Sequence, residues 1–356
     1  MLKNERGTIR VVVVDDSPTV RDLLTTVLSD AGLQVVGQGT NGEEAIRLVD
    51  RLRPDVVTMD VHMPRMDGLE ATRRIMRQSP TPIVIVANSM THPNVDLTFE
   101  SLKAGALTVV RKPGLRDPET CEQMVQTVRL MAGVPVVHHW ERKPAGRDRK
   151  SEVGVAHLHS DLRPLPSYIR IVGIASSTGG PAALAAVLGT LPQDFPLPIL
   201  IVQHMTNGFA AALAEWLNTQ TPLAVSLAGH GETPQPGTVL IAPDDYHMQV
   251  SLRGVVELVR EPPYKGLRPS ANYLLASLAR AYGPKALGVI LTGMGDDGAD
   301  GLEALHKSGG LTLAQDEATC VVYGMPGEAM ARNAVDRVLS PSQIALALCQ
   351  LGRKTG

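Results

Sequence analysis

From residue 8 the chain repeats one pattern: a short apolar run, a turn, then a longer stretch whose apolar residues recur every three or four positions. Those two periods belong to strand and helix, and their alternation predicts βα units. The strand-like runs are "IRVVVVD", "QVVGQG", "DVVTMD", "PIVIVAN" and "LTVVRKP". The first helix is expected to open at Pro18 with Ser17 as its N-cap, and another spans "GEEAIRLVDRL" with its apolar residues on one face. Five such units predict a doubly wound parallel sheet over residues 8–130.

The pattern then breaks. Residues 131–167 lose periodicity and gain charge, histidine, proline and glycine, as an interdomain linker does. His138, His139, His157 and His159 fall here with no cysteine or acid at a ligand spacing, so a solvated connection is expected rather than a metal tract. The alternation resumes over 168–352. "YIRIVGIAS" predicts a strand, "STGGP" a sharp turn and "AALAAVLGTL" an amphipathic helix. "PILIVQHM" is a buried strand ending at His204, and "ALGVILTGMGDDGADG" is another, running into a glycine-rich turn that carries Asp296, Asp297 and Asp300. Between them, "AGHGETPQPGTVLIAPDDYHMQVSL" is expected to form short strands with turns, a small antiparallel flap holding His230 and His247. The second domain is therefore expected to be a doubly wound, mostly parallel α/β fold with a small antiparallel flap.

Composition narrows this further. Of 356 residues, 44% are hydrophobic but only 3% aromatic, so the cores must be built from Val, Leu, Ile, Ala and Met, which favours α/β over an aromatic-rich sandwich. Lys plus Arg (34) nearly balance Asp plus Glu (36), and no basic stripe appears, which argues against a nucleic-acid partner. The start "MLKNERGTIR" is charged, and no apolar run approaches the roughly 20 residues a membrane span needs. A soluble cytoplasmic protein without membrane insertion is expected. Cys121, Cys320 and Cys349 fit neither a disulfide ladder nor a metal pattern and are expected to be reduced thiols.

Parallel sheets of this kind place their sites beyond the carboxyl ends of the strands, and that rule gives the acids meaning. Asp15 and Asp16 end the first strand, Asp60 the third, and Lys112 the fifth. Three close carboxylates repel one another unless a cation intervenes, and oxygen-only ligation suits Mg²⁺. With "VVVVDDSPTVRDLL", "DVVTMDVHMPRMDGLEATRRI" and "VVRKP", the first domain resembles the receiver domain of two-component response regulators. The resemblance implies that Asp60 accepts a phosphoryl group from a histidine kinase, that Asp15, Asp16 and Asp60 hold Mg²⁺, and that Lys112 contacts the phosphoryl oxygens. It also puts the backbone at His62 or Met63 near the metal. Two positions depart from the pattern: Ala87, followed by Asn88 and Ser89, stands where a hydroxyl is usual, and Val109 stands where an aromatic switch residue is usual.

In the second domain a serine on the "STGGP" turn lies beside the amides of a helix N-terminus. That suits either a phosphate cradle or a nucleophile with an oxyanion hole. The lysine of a P-loop is missing, as are the G-x-G-x-x-G fingerprint and the G-x-S-x-G elbow. A serine nucleophile needs a base and an orienting acid, and His204 and the acids after "ILTGMG" also fall past strand ends. His230 and His247 are rival bases, with His247 a candidate to line the pocket; Asp244 and Asp245 suit a turn better than the acid's role.

The stretches "IASSTGG", "VQHM", "IAPDDYHM", "RPSANYLLASLA", "GVILTGMGDDGADG" and "ATCVVYGMP" resemble the catalytic domain of the CheB family of chemotaxis protein-glutamate methylesterases. The resemblance implies Ser177 as nucleophile, His204 as base and Asp297 as orienting acid. The backbone amides of Thr178 and Met294 become candidates for the oxyanion hole. Ser176 takes a position where the family carries a small residue, and Asp296 one where asparagine can occur. The implied reaction is hydrolysis of glutamate methyl esters on chemoreceptors with release of methanol, together with glutamine deamidation releasing ammonia, and no cofactor in the catalytic domain. The receiver is expected to restrict access to Ser177 until phosphorylated. The rivals are a response regulator with a non-catalytic receptor-binding output domain, and an output domain that binds nucleotide through "STGGP".

Overall fold

The structure, a computed structural model, describes residues 8–87, 94–114, 117–134, 136 and 165–351. The four linker histidines, Asn88 and Ser89 lie outside them. The chain forms two compact units, one built on a five-stranded sheet and the other on a seven-stranded sheet.

In the first unit β1 (Arg10–Val14), β2 (Gln34–Gly39), β3 (Val56–Met59), β4 (Ile83–Ala87) and β5 (Thr108–Arg111) form a parallel sheet in the order β2-β1-β3-β4-β5. The central strands are rich in valine and isoleucine and buried except for Arg10 at the start of β1, as strands covered on both faces must be. Five helices connect them: α1 (Pro18–Asp30), α2 (Gly42–Leu52), α3 (Gly68–Gln78), α4 (Asn94–Lys103) and α5 (Pro118–Ala132). Helix α2 covers the predicted "GEEAIRLVDRL", capped by the Asn41 side chain, which accepts from the Glu44 amide. Helix α1 opens at Pro18 as expected, but the Ser17 hydroxyl makes no cap bond. The Ser17 amide instead donates to Asp15 Oδ1 at 2.9 Å, tying the helix start to an acid at the sheet edge.

The second unit carries β6 (Ile171–Ser176), β7 (Ile199–Gln203), β8 (Ala224–Leu227), β9 (Thr238–Ile241), β12 (Ala286–Ile290), β13 (Leu311–Gln315) and β14 (Arg337–Leu339), all parallel, in the order β14-β13-β12-β6-β7-β9-β8. A separate antiparallel pair joins β10 (His247–Val250) to β11 (Val256–Val259). The expected flap over 228–252 is thus only half a flap. Val239, Leu240 and Ile241 are buried, and β9 pairs in parallel with β7 and β8, because three consecutive apolar residues suit a strand covered on both faces. His230 lies outside both strands of the ribbon, where its Nδ1 accepts from the Leu258 amide at 3.2 Å.

Helix α6 (Gly180–Leu188) begins two residues before the predicted "AALAAVLGTL". Pro181 belongs to its first turn, where the ring's fixed φ and missing N–H cost nothing. The sharp turn narrows to Ser177–Gly179, with Gly179 at φ +79°. Further on come α7 (Ala210–Gln220), α8 (Ala271–Tyr282), α9 (Ala299–Lys307), α10 (Met325–Ala331) and α11 (Pro341–Leu351). Gly173 of β6 and Gly288 of β12 lie side by side in the sheet. A Cβ on Gly173 would fall 2.4 Å from Leu278 Cδ1, and one on Gly288 2.6 Å from Leu302 Cδ1 and 2.7 Å from Leu305 Cδ2. The leucines of α8 and α9 fill that hollow in the core, each worth roughly 1.5–3 kcal/mol of burial. No helix among the described residues is long and apolar enough to cross a membrane.

Candidate functional site

Each sheet gathers chemistry at its carboxyl edge. In the first unit Asp15 and Asp16 follow β1, Asp60 follows β3, and Lys112 follows β5. Lys112 Nζ pairs with Asp15 Oδ2 at 2.8 Å and with Asp60 Oδ2 at 2.9 Å. The Val61 amide donates to Asp60 Oδ1 at 2.8 Å. Ligand oxygens of Asp15, Asp16 and Asp60 lie within 4.8 Å of one another; Asp15 and Asp60 are buried and Asp16 is exposed. Burial pushes the Asp60 carboxyl above its ordinary pKa, against the pull of the Lys112 charge. Burial also weighs against the Lys112 ammonium, but the hydrogen bond to Asp15 and the charge on Asp60 outweigh it and raise its pKa. Three carboxylates and one ammonium leave a formal excess of two negative charges. Oxygen donors with that excess fit a hard divalent cation such as Mg²⁺. His62 is exposed and Met63 half-buried in the loop after Asp60. Ala87 ends β4, where its carbonyl accepts from the Lys112 amide at 2.7 Å, and Val109 is buried within β5.

In the second unit β6 and β7 are neighbours whose last residues, Ser176 and Gln203, pair in register. The Ser176 hydroxyl donates to Gln203 Oε1 at 2.7 Å, with both side chains buried. Ser177 and His204, the next residue on each strand, are half-buried. Thr178 is buried at the foot of α6. Strand β12 flanks β6 on its other side, and the Leu291 amide donates to the Ala175 carbonyl at 2.8 Å. The loop beyond it is pinned. The Thr292 amide donates to Gln315 Oε1 at 2.8 Å, the Thr292 hydroxyl accepts from the Val322 amide at 2.9 Å, and the Gly293 carbonyl accepts from the amides of Gly324 and Met325. Met294 follows directly, half-buried.

That loop also separates the three acids the sequence left open. Asp297 is 2% exposed; its Oδ1 accepts from the Ser270 hydroxyl and its Oδ2 from the Ala271 amide, both at 2.6 Å. Its carboxylate therefore sits on the N-terminus of α8, where amides and dipole favour negative charge. Asp296 pairs with Lys265 and, at 3.7 Å, with Arg332. Asp300 is exposed, 3.4 Å from Arg332, and accepts from the Tyr264 hydroxyl at 3.1 Å.

His247 has no free nitrogen to act as a base. It is 0% exposed, so it lines no open surface, and it stacks on Tyr273 at 3.9 Å. Its Nδ1 accepts from the Ser270 amide and its Nε2 donates to the Pro262 carbonyl, each at 3.1 Å. Asp244 and Asp245 lie in a turn, and Asp245 pairs with Arg268 at 3.7 Å. Burial, aided by the Asp316 charge, pushes the Cys320 thiol up to about 12, which makes it inert at neutral pH. Sequence reasoning missed Gln203, Ser270 and Asn272. Gln203 carries a faint signal, a polar side chain closing an apolar run, and Ser270 is a cap residue ahead of an amphipathic helix.

Two family models match the chain: one described as CheB methylesterase over residues 172–348, and one described as response regulator receiver domain over residues 11–126. A protein of Syntrophus aciditrophicus (strain SB), named protein-glutamate methylesterase/protein-glutamine glutaminase 1, is 45% identical over 347 residues, which are 96% of this chain and 98% of the relative. A protein-glutamate methylesterase/protein-glutamine glutaminase of Nitrosospira multiformis is 45% identical over 353 residues, 98% of each chain. Among solved structures, the Thermotoga maritima CheB methylesterase catalytic domain is 40% identical, with a TM-score of 0.50 over 51% of this chain and 98% of that one.

Proposed function

The chain belongs to the protein-glutamate methylesterase/protein-glutamine glutaminase family, with a response regulator receiver domain ahead of a CheB methylesterase domain, and from that premise we propose a serine-hydrolase mechanism run by Ser177, His204 and Asp297. Its activity is that of a carboxylic ester hydrolase on glutamate methyl esters, with glutaminase activity beside it. A non-catalytic receptor-binding output domain finds no support in these relatives. The observation that carries the triad is the buried Asp297 carboxylate, on the loop after the strand next to the one that ends at Ser176, held by the Ser270 hydroxyl and by amides at the start of α8.

His204 takes the Ser177 proton as the serine oxygen attacks the ester carbonyl. Asp297 holds the imidazole tautomer and stabilises the imidazolium. The amides of Thr178 and Met294 bind the oxyanion, each such donor being worth roughly 3–4 kcal/mol. His204 returns the proton to the leaving group, to the methoxy oxygen of an ester, which departs as methanol, or to the amide nitrogen of a glutamine, which departs as ammonia. Water, deprotonated by His204, then cleaves the acyl-enzyme and leaves glutamate and free Ser177.

Asp60 is the proposed phosphoryl acceptor, with Asp15, Asp16 and Asp60 holding Mg²⁺. When bound, that ion neutralises charge on the incoming phosphoryl oxygens. Lys112, already paired with Asp15 and Asp60, turns to the phosphoryl group once it arrives. Phosphorylation at Asp60 raises esterase activity. The partners are methylated chemoreceptors as substrate and a chemotaxis histidine kinase as phosphodonor, in the cytoplasm where such a kinase has ATP. Residues 8–130 are taken as the receiver, 131–167 as the connection and 168–352 as the catalytic domain.

The test is methanol release from methylated receptor membranes by wild type and Ser177→Ala, each with and without a small phosphodonor and Mg²⁺. Release should rise with the phosphodonor and fall on the order of 10⁴-fold without the Ser177 hydroxyl. Near-normal release by a folded Ser177→Ala protein would sink the mechanism.

A further inference from the structure

Asp297 reaches its place from the loop between β12 and α9, and an orienting acid is useful only if its carboxylate plane is fixed. The torsion that turns a carboxylate is broad and nearly twofold, so a single hydrogen bond leaves it free to swing. Here both oxygens are gripped from another element, Oδ1 by the Ser270 hydroxyl and, more loosely at 3.4 Å, by the Asn272 amide, and Oδ2 by the Ala271 amide. Charge-assisted bonds of 2.6 Å are at the short, strong end of their range. Ser270 is itself held from behind. Its amide donates to His247 Nδ1, and the imidazole is set by its bond to the Pro262 carbonyl and its stack on Tyr273. An accepting Nδ1 and a donating Nε2 specify one neutral tautomer.

We infer that Ser270 is a positioning residue for Asp297: its hydroxyl fixes the carboxylate plane, while buried, neutral His247 fixes Ser270. This rests on the reading of Asp297 as the orienting acid. Helix capping alone does not explain the arrangement, since Ser270 Oγ already accepts from the Asn272 amide at 3.3 Å as the N-cap of α8. Its proton is left over, and it goes to Asp297.

The experiment measures kcat and KM for methanol release from methylated receptor membranes by the full chain carrying Ser270→Ala or Ser270→Gly, alone and combined with Asp297→Ala. Glycine is the second choice because it is tolerated at an N-cap if alanine fails to fold. The expected result is a kcat lower by about 10- to 100-fold at unchanged KM, as small misplacements near reacting groups produce. In the Asp297→Ala background the Ser270 substitution should add nothing, the signature of two residues acting as one. Wild-type kcat in the folded glycine variant, or the same fold-loss in both backgrounds, would overturn the inference. If Asp297→Ala itself keeps wild-type kcat, the reading of Asp297 fails; if it collapses while Ser270→Gly stays intact, only the role of Ser270 fails.

Discussion

The two carboxyl edges solve the same electrostatic problem in opposite ways. Asp60 and Asp297 are both buried acids, at 5% and 2% exposure. Asp60 is balanced by charge, with Lys112 at 2.9 Å and two more acids close enough to share a cation. Asp297 accepts from neutral donors at the start of α8, the Ser270 hydroxyl and the amides of Ala271 and Asn272. Full charges accept a newcomer readily, because a phosphoryl group or metal can displace one partner and find another. Oriented dipoles built into a helix end hold an acid in one geometry, as the proposed mechanism requires of Asp297. On the proposed mechanism, the edge that changes state is built from full charges and the edge that repeats one reaction from fixed donors.

The contrast breaks most visibly at Asp297. Asp297→Asn should lower turnover on the order of 10⁴-fold by offering the base the wrong tautomer, measured as methanol release; a tenfold loss would mean the dipole-held acid is ornamental. Asp60→Asn should remove the increase that phosphodonor and Mg²⁺ produce, and a response that survives would detach the charged edge from regulation. Asn272→Ala sharpens the comparison at the level of stability. The Asn272 Oδ1 accepts from the amides of Gly298 and Gly301 at 3.1 and 2.7 Å, next to Asp297. Its loss should cost about 2 kcal/mol, read from urea unfolding.

The smallest expected effect concerns His247. Burial, aided by the Arg268 charge, holds its pKa below the usual 6.5 despite the Pro262 carbonyl. Below that pH the unfolded chain binds a proton that the folded one refuses, so stability rises as pH climbs toward about 6.5 and falls again on acidification. His247→Gln should flatten this slope; an unchanged slope would assign it to other groups.

Much of this was legible along the chain because both sheets obey one rule. Asp15, Asp60, Lys112, Ser177 and His204 each stand within a residue or two of a strand end, and a period of two plus a topology places them. Asp297 is less legible by position, since it lies seven residues past β12 beside Asp296 and Asp300, and burial and partners, not spacing, set the three apart. The Ser270 clamp was invisible, because it joins residues 27 apart through the docking of α8. Strand β9 was misplaced for a related reason. A four-residue run between Gly237 and Pro243 announces a turn on either side, while the sheet it joins is set by β7 and β8.

Gly173 and Gly288 carry a consequence for how this enzyme tolerates change. The helix that begins with Ser270 rests on one of them, and the helix that follows Asp297 rests on the other. Side by side, they act as the two seats of a machined fit, and a methyl on either is a shim that lifts one half of the clamp away from the other. On the proposed mechanism, catalytic alignment can therefore be spoiled from the floor of the sheet with every reacting group intact, so a search for inactivating variants confined to the reactive side chains would overlook two positions that have no side chain at all.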